Sequence, residues 1–440
     1  MDFVTLTDLE GAVEGTACPQ WRAALPNVAR ARDGIERFLA NGGHAYGFST
    51  FLGHLDEHGL SEDVQPLVLE AHLVGQPEQL ALRQSRAITA IKLSQLSQAH
   101  SGISPETFEH LVRNFDQLPP VSTDLDASYG SGDVVPASWW AHSLLPAGLE
   151  LRNGDVIALI NGHFIAPGLL LAAYADVKRS LSLALDQVQA AQTTLEADRV
   201  QLSVAMRDIT PLQELLATTW DQVDTALVRS ANSSSGNPQF DEVADGSYQA
   251  ISNSSFLNLS LTQALFGLCY TVSAVSTYLR SATYWVCKNL ESRDGELIHG
   301  TYFVQPPKIS KALNDRVCKE LPSTPSLTQS ESNMVEDVAD TAVHTVQSVL
   351  RAADLVGKQT AILTEALRLH ASEPATKPLH GFGSAIPSSS DPLSASEQAH
   401  GLTWEETTSP TAPVTARIMT SPPPTWSAFF TASTDRPAFK

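Results

Sequence analysis

Three short stretches carry residue types that could do chemistry: Ala45-Tyr46-Gly47-Phe48-Ser49-Thr50-Phe51-Leu52-Gly53, Gly130-Ser131-Gly132-Asp133, and Ile157-Ala158-Leu159-Ile160-Asn161-Gly162. The first is a glycine-punctuated loop that presents a phenol. The second has the composition of a flexible linker, yet Pro136 and the paired Trp139-Trp140 stand behind it. In the third, one amide side chain interrupts an apolar run. A phenol, a hydroxyl between two glycines and a preorganised amide could together run acid–base or cyclisation chemistry, with the amide steadying developing charge. Taken singly, each stretch reads equally well as scaffolding, so their order along the chain carries more information than any one of them.

The elements that must hold these stretches are helical. Pro167 to Asp208 carries an apolar stripe of Leu169, Leu170, Ala173, Val177, Leu181, Leu185 and Val188, and its period predicts one helix of about forty residues. Asn161 stands at the mouth of that helix. A second long helix is predicted over Ser255 to Leu290. A third is predicted from Asn333 to Leu369, with Val335, Val338, Ala342, Val346, Val349, Ala353 and Val356 as its stripe. The β-branched runs near Val134 and Val156 suggest short strands. The fold class is therefore mainly α: an irregular N-terminal domain over 1–165, a long antiparallel helical bundle over 166–371, and a Pro/Ser/Thr-rich tail over 372–440, expected to be mobile.

Composition narrows the partners. The 440 residues carry a formal charge of -20, which offers no broad basic surface to nucleic acid or to an anionic membrane. Cys18, Cys269, Cys287 and Cys318 are widely spaced, fitting reduced thiols in a cytoplasmic protein. The N-terminus lacks a basic and apolar secretion signal. The most apolar window, Val156 to Tyr174, contains Asn161, His163 and Pro167, poor material for a membrane span. His54-Leu55-Asp56-Glu57-His58 has alternating metal-ligand types but reads as a solvated loop, so no metal site is expected.

In order, the three stretches resemble the aromatic amino acid lyase family, the histidine, phenylalanine and tyrosine ammonia-lyases and the related aminomutases. Its patterns are Y-G-x-x-T-G-F-G, A-S-G-D-L-x-P and L-A-L-I-N-G. Tyr46, Gly47, Thr50 and Gly53 match the first; Ser131, Gly132, Asp133 and Pro136 the second; Ala158 to Gly162 the third. Leu96-Ser97-Gln98-Ala99-His100-Ser101-Gly102 resembles the family's L-A-R-G-x-S-G helix end, Asn232-Ser233 and Asn237-Pro238 its N-S-x-T-D-N-P segment, and Glu336-Asp337 the Q-E-D that begins a long helix.

The resemblance implies a fold of the aspartase/fumarase-like superfamily and a methylidene-imidazolone electrophile formed autocatalytically from Gly130-Ser131-Gly132, with no external cofactor. The serine hydroxyl leaves to make the exocyclic methylene, and the last glycine lets the backbone close on the preceding carbonyl. The first position contributes only its carbonyl, so glycine in place of alanine should leave closure possible. The implied reaction is elimination or migration of ammonia on an aromatic or related α-amino acid in specialised metabolism. Tyr46 would take the β-proton, which requires a neighbouring cation or donated hydrogen bonds. Asn161 would sit beside the ring and Glu336 near the substrate amine. His72 stands where family members choose their ring type, and Phe256 is what remains of a G-G-N-F-H-G segment. Homotetramers with active sites shared between subunits are also implied.

The chain departs from the family where substrate is held. The interval from Asn161 to Asn237 has no Y-S-L-R arginine to pair with a substrate carboxylate; Arg207, Arg229 and Arg280 are the possible substitutes. The Arg and Asn of the R-x-N-x-L-A helix are Lys92 and Ser94. The same fold without the prosthetic ring, catalysing another elimination or cyclisation, and an inactive scaffold subunit are the alternatives.

Overall fold

Periodic apolar stripes without dense β signals require helices to bury one another. A computed structural model describes residues 3–61, 64–146, 148–194, 201–293, 303–322, 326–331 and 334–371. The predicted tail over 372–440 lies outside the described residues. The helices are α1 (Leu6–Val13), α2 (Pro19–Ala40), α3 (Gln65–Ala71), α4 (Leu82–Leu96), α5 (Pro105–Asn114), α6 (Val134–Leu144), α7 (Asp155–Ile160), α8 (Ile165–Gln192), α9 (Thr210–Ala231), α10 (Leu259–Arg293), α11 (Gln305–Glu320) and α12 (Ala342–Ala371). Three two-stranded antiparallel pairs accompany them: β1 (Glu78–Gln79) with β2 (Ser122–Thr123), β3 (Gln239–Glu242) with β4 (Tyr248–Ile251), and β5 (Ser326–Glu331) with β6 (Glu336–Asp340).

Helix α10 packs along α12, α11 and α9, while α8 lies between α4, α10 and α12. One apolar cluster unites them, with Leu181, Val188, Leu265, Val272, Leu279, Val346 and Val356 all essentially inaccessible to solvent. The apolar window read as unfit to span a membrane covers α7 and the start of α8, both buried in the core.

Four expectations change. Helix α8 stops at Gln192, because the Thr193 and Thr194 hydroxyls turn back on the carbonyls of Ala190 and Ala191 and replace the next helical turn. Val134 starts α6 and Val156 lies in α7, so neither forms a strand. The buried Asp155 carboxylate, which accepts from the Arg152 amide and from both hydroxyls of Ser104 and Thr107, fixes the helical turn at α7 against the β preference of valine. Finally, the long C-terminal helix starts at Ala342 and not at Asn333. Asp340 Oδ1 accepts from the Ala342 amide, and the residues before Thr341 pair as β6 with β5, Ser326↔Asp340 and Glu331↔Glu336, with a register shift between Thr328 and Glu331. Val335 and Val338, expected on the helix stripe, are exposed.

Candidate active site

The Gly-Ser-Gly stretch is no linker. It forms a turn between a short 3-10 segment and α6, with Gly130 at φ +78°, Gly132 at +80° and Asp133 at +49°. Ser131, between them, is buried. Each glycine is demanded by what surrounds it. A Cβ on Gly130 would lie 2.1 Å from the Asp340 carbonyl oxygen, and one on Gly132 would lie 2.9 Å from the Asn161 side-chain nitrogen and 3.6 Å from Phe256 Cβ.

Two backbone amides grip the turn from opposite sides. The Asp340 N–H donates to the Gly130 carbonyl at 2.9 Å, and the Gly162 N–H donates to the Gly132 carbonyl at 3.2 Å. Helix α12 adds a third tie, His344 Nε2 to the Ser128 carbonyl at 2.9 Å. Behind the turn, Trp140 on α6 donates to Thr89 Oγ1 and meets the Phe164 ring edge-on, locking α6 to α4 and to the start of α8.

Asn161 follows α7, so its side chain leaves the helix end facing Gly132. Its Oδ1 accepts from the Asn237 amide at 2.9 Å, which directs the Nδ2 donor towards the turn. Tyr46 reaches the same region because its loop packs through Ala45 and Phe48 on Ile157 of α7. The Tyr46 hydroxyl oxygen accepts from the Gly53 amide at 2.7 Å. Burial raises its pKa despite that hydrogen bond, and the carboxylates of Glu336 and Asp56 raise it further. The neighbouring charge the phenol needs to ionise near neutrality is thus not provided by these groups; they oppose ionisation.

Glu336 is brought near Tyr46 and Tyr129, whose pKa burial and the Glu336 charge also push up. It sits on β6, however, and does not begin the helix. The carboxylate at the helix start is Asp340, with Oδ2 accepting from the Asn258 amide at 2.7 Å. Phe256 packs beside Gly132. His72 caps α3 and turns its Nδ1 onto the Val68 carbonyl at 2.7 Å; no described hydrogen bond joins it to Tyr46, Ser131 or Asn161. Arg207, Arg229 and Arg280 are exposed, and Arg207 folds onto Gln201 and the Leu202 carbonyl.

Sequence reasoning missed Asp340 because the acid pair Glu336-Asp337 drew the match four residues too early. The signal was present: an acid followed by threonine just before an apolar run is a helix start. It named Asp133, Lys92 and His163 without giving any of them a role, and all three are buried. Asp133 is pushed up to about 7 by burial and then by the Asp340 charge, against the Ser128 hydroxyl that donates to it at 2.6 Å. Lys92 is held down to about 7 by burial, with its ammonium on the Asn161 carbonyl. His163 completes the group.

The His163 ring has a definite tautomer. Nδ1 faces the amide donors of Asn258 at 3.2 Å and Gln95 at 3.4 Å, so it holds the lone pair, and Nε2–H faces Ser233 Oγ at 3.3 Å. Burial, and secondarily the Lys92 charge, hold its pKa down to about 4. Unfolded, the imidazole takes its proton near 6.5. Between those values the unfolded chain binds the extra proton, so stability is complete above pH 6.5 and is lost as pH falls towards 4, at up to roughly 1.4 kcal/mol per pH unit. Replacing His163 by Gln should therefore flatten the fall in urea midpoint between pH 7 and pH 5; an unchanged slope would remove His163 as its source.

Described this way, the site is a helical scaffold that presents a left-handed Gly-Ser-Gly turn, an Asn-Gly step and a phenol loop to one another. Solved structures share the fold. The phenylalanine aminomutase of Pantoea agglomerans superposes with a TM-score of 0.70 at 14% identity, covering 84% of this chain and 89% of that one. Ergothionase, the ergothioneine-degrading enzyme of Treponema denticola, gives 0.67 at 14% identity over 84% and 88%. The model of the aromatic amino acid lyase family matches residues 4–149. Histidine ammonia-lyase of Burkholderia multivorans is 29% identical over 210 residues, 43% of this chain and 41% of that protein, so the chain spans about two fifths of the length of the curated relatives it matches. Over residues 4–149 the chain is thus similar to the aromatic amino acid lyase family.

Proposed function

We propose that the chain is a carbon–nitrogen lyase or aminomutase acting on an aromatic or related amino acid, with the Gly130-Ser131-Gly132 turn cyclised to a methylidene-imidazolone. The observation that carries this reading is the double grip on the turn: the carbonyls of the two left-handed glycines are hydrogen-bonded to amides of separate segments, with Ser131 between them. Residues so held fit the group, since a serine hydroxyl stands between two glycines whose missing Cβ atoms let the Asp340 backbone and the Asn161 amide close on the turn. Once formed, the group supplies an electrophilic methylene for the amine of the substrate.

The remaining chemistry falls to side chains of this chain. Asn161 holds an amide donor against the turn, oriented by the Asn237 amide, where it can stabilise charge without reorganising. Asp340 and Glu336 offer negative charge to a substrate ammonium. Tyr46 takes the β-proton. With its pKa raised, the phenolate is a minor species at neutral pH, and turnover should climb about tenfold per pH unit until the titration is reached. Tyr46→Phe should lower turnover by roughly 10²–10⁴-fold and leave the covalent state of Ser131 unchanged. Retained turnover in Tyr46→Phe would move the base elsewhere.

The experiment that tests the whole reading is the intact mass of the purified chain, short of the sequence mass by two waters. Incubation with His, Tyr, Phe and their β-isomers, followed for ammonia and conjugated acrylate, then reads the reaction. A second reading, elimination or cyclisation without the ring, draws on the exposed positions of Arg207, Arg229 and Arg280, which leave a substrate carboxylate without those partners. An unmodified mass in a folded chain would favour it.

We also propose a homotetramer in a reducing cytoplasm. Helix α10 exposes Leu259, Tyr270 and Tyr284, apolar area that a neighbouring subunit would cover.

A further inference from the structure

Lys92 on α4 is only 1% exposed, and burying an ammonium costs several kcal/mol in order of magnitude unless something compensates. Among the described residues it forms no ion pair. Its Nζ donates to the Asn161 carbonyl at 2.9 Å and lies 4.5 Å from the centre of the Phe164 ring. A methionine would fill the same space at lower cost, so the charge calls for a reason.

The Asn161 carbonyl is one end of a peptide unit whose other end is the Gly162 N–H. That N–H donates to the Gly132 carbonyl. Peptide resonance couples the two ends: a cation on the oxygen draws density from the nitrogen and makes the N–H a stronger donor. The chain of contacts therefore runs from the Lys92 ammonium, through the Asn161–Gly162 peptide, to the residue whose nitrogen must attack. The opposite grip, Asp340 N–H on the Gly130 carbonyl, comes from a separate segment.

We propose that Lys92 is a positioning residue for closure of the Gly130-Ser131-Gly132 ring, acting through the Asn161–Gly162 peptide. This rests on the ring-forming reading above. In closure the Gly132 nitrogen bonds to the Gly130 carbonyl carbon. The Gly130 oxygen departs as water with the protons of the Gly132 and Ser131 nitrogens, and Ser131 Oγ departs as a second water with the Ser131 Cα proton. Lys92 exchanges no atom in either step; it keeps the attacking residue in place.

The test follows the two-water mass deficit with time after cell-free synthesis of the full chain, alongside far-ultraviolet dichroism to confirm folding. Lys92→Met should fold and lose its two waters roughly tenfold more slowly than the native chain, the size of effect expected for one charge-assisted hydrogen bond. Lys92→Arg, the residue of the family pattern, should restore most of the rate. Should Met prevent folding, Lys92→Gln, which keeps a donor without the charge, takes its place and should be equally slow. A folded Met or Gln variant that dehydrates at the native rate overturns the proposal, as does an Arg variant as slow as Met. Failure of both neutral variants to fold would make Lys92 a structural residue and overturn it too. A native chain at full sequence mass overturns the ring itself, and is distinguished from the other outcomes because it needs no variant.

Discussion

Replacing Ser131 by alanine is expected to lower turnover by roughly 10³-fold or more, the scale seen when a group that bonds to substrate is deleted. The same variant should be short of its sequence mass by one water at most, against two in the native chain, because the hydroxyl that leaves in the second dehydration is gone. Any near-ultraviolet absorbance that the methylidene-imidazolone adds to that of the tryptophans and tyrosines should be missing from the variant. Little else should change: Ser131 is buried between two glycines, and deleting one oxygen there should alter stability by about 1 kcal/mol or less. That separation gives the experiment its force, since a folded, inactive variant of altered mass cannot be explained by unfolding. If Ser131→Ala retained native turnover, or the native chain carried its full mass, the electrophile would have to be abandoned.

Much of the fold was legible because helix periodicity is a local signal. The stripes of α8, α10 and the body of α12 are spaced by the helix itself, and their residues lie in the core as expected. What failed was set by partners distant in sequence. Val134 and Val156 favour strands in isolation, but Asp155 bonds to Ser104 and Thr107, some fifty residues away, and fixes a helical turn beside one of them. The start of α12 was misread because Val335 and Val338 happen to continue its stripe backwards, while Val338 lies on β6 opposite Thr328 of β5 and Val335 just precedes β6. The same error displaced the helix-start carboxylate from Asp340 to Glu336.

The site was legible in its motifs and not in its supports. Tyr46, Gly130-Ser131-Gly132, Asn161 and Phe256 were named from short patterns, and the fold brings their segments into one region. Lys92 was named only as the replacement of a pattern arginine, and Gln95, His163 and Asn258 carry no such pattern, since any of them reads as an ordinary polar residue until its neighbours are known. His163 next to Asn161-Gly162 could have drawn notice as an ionisable group in an otherwise apolar run. Its two amide donors and single hydroxyl come from α4, from Asn258 and from the segment after α9, and nothing local announces them.

Gly130 is where sequence and structure differ most usefully. Chemistry asks only a carbonyl of the first ring position, and the family pattern carries alanine there, so Gly130→Ala should on that ground be harmless. The geometry predicts otherwise. At φ +78° an alanine is already strained, and its Cβ would stand 2.1 Å from the Asp340 carbonyl oxygen and 3.0 Å from Ala339 Cβ. Backbone must move to relieve this, and the backbone in question supplies the Asp340 N–H that holds the Gly130 carbonyl. Gly130→Ala should therefore cost roughly 2–4 kcal/mol in denaturant unfolding and slow the loss of both waters. Gly246, at φ +80° with nothing within 4 Å of its would-be Cβ, isolates the conformational part. Gly246→Ala should cost about 1 kcal/mol, and the excess at Gly130 measures the collision with β6. Equal costs at the two glycines would mean that β6 does not press on the turn. In that case the Asp340 N–H would lose its place as the second grip on the ring-forming residues.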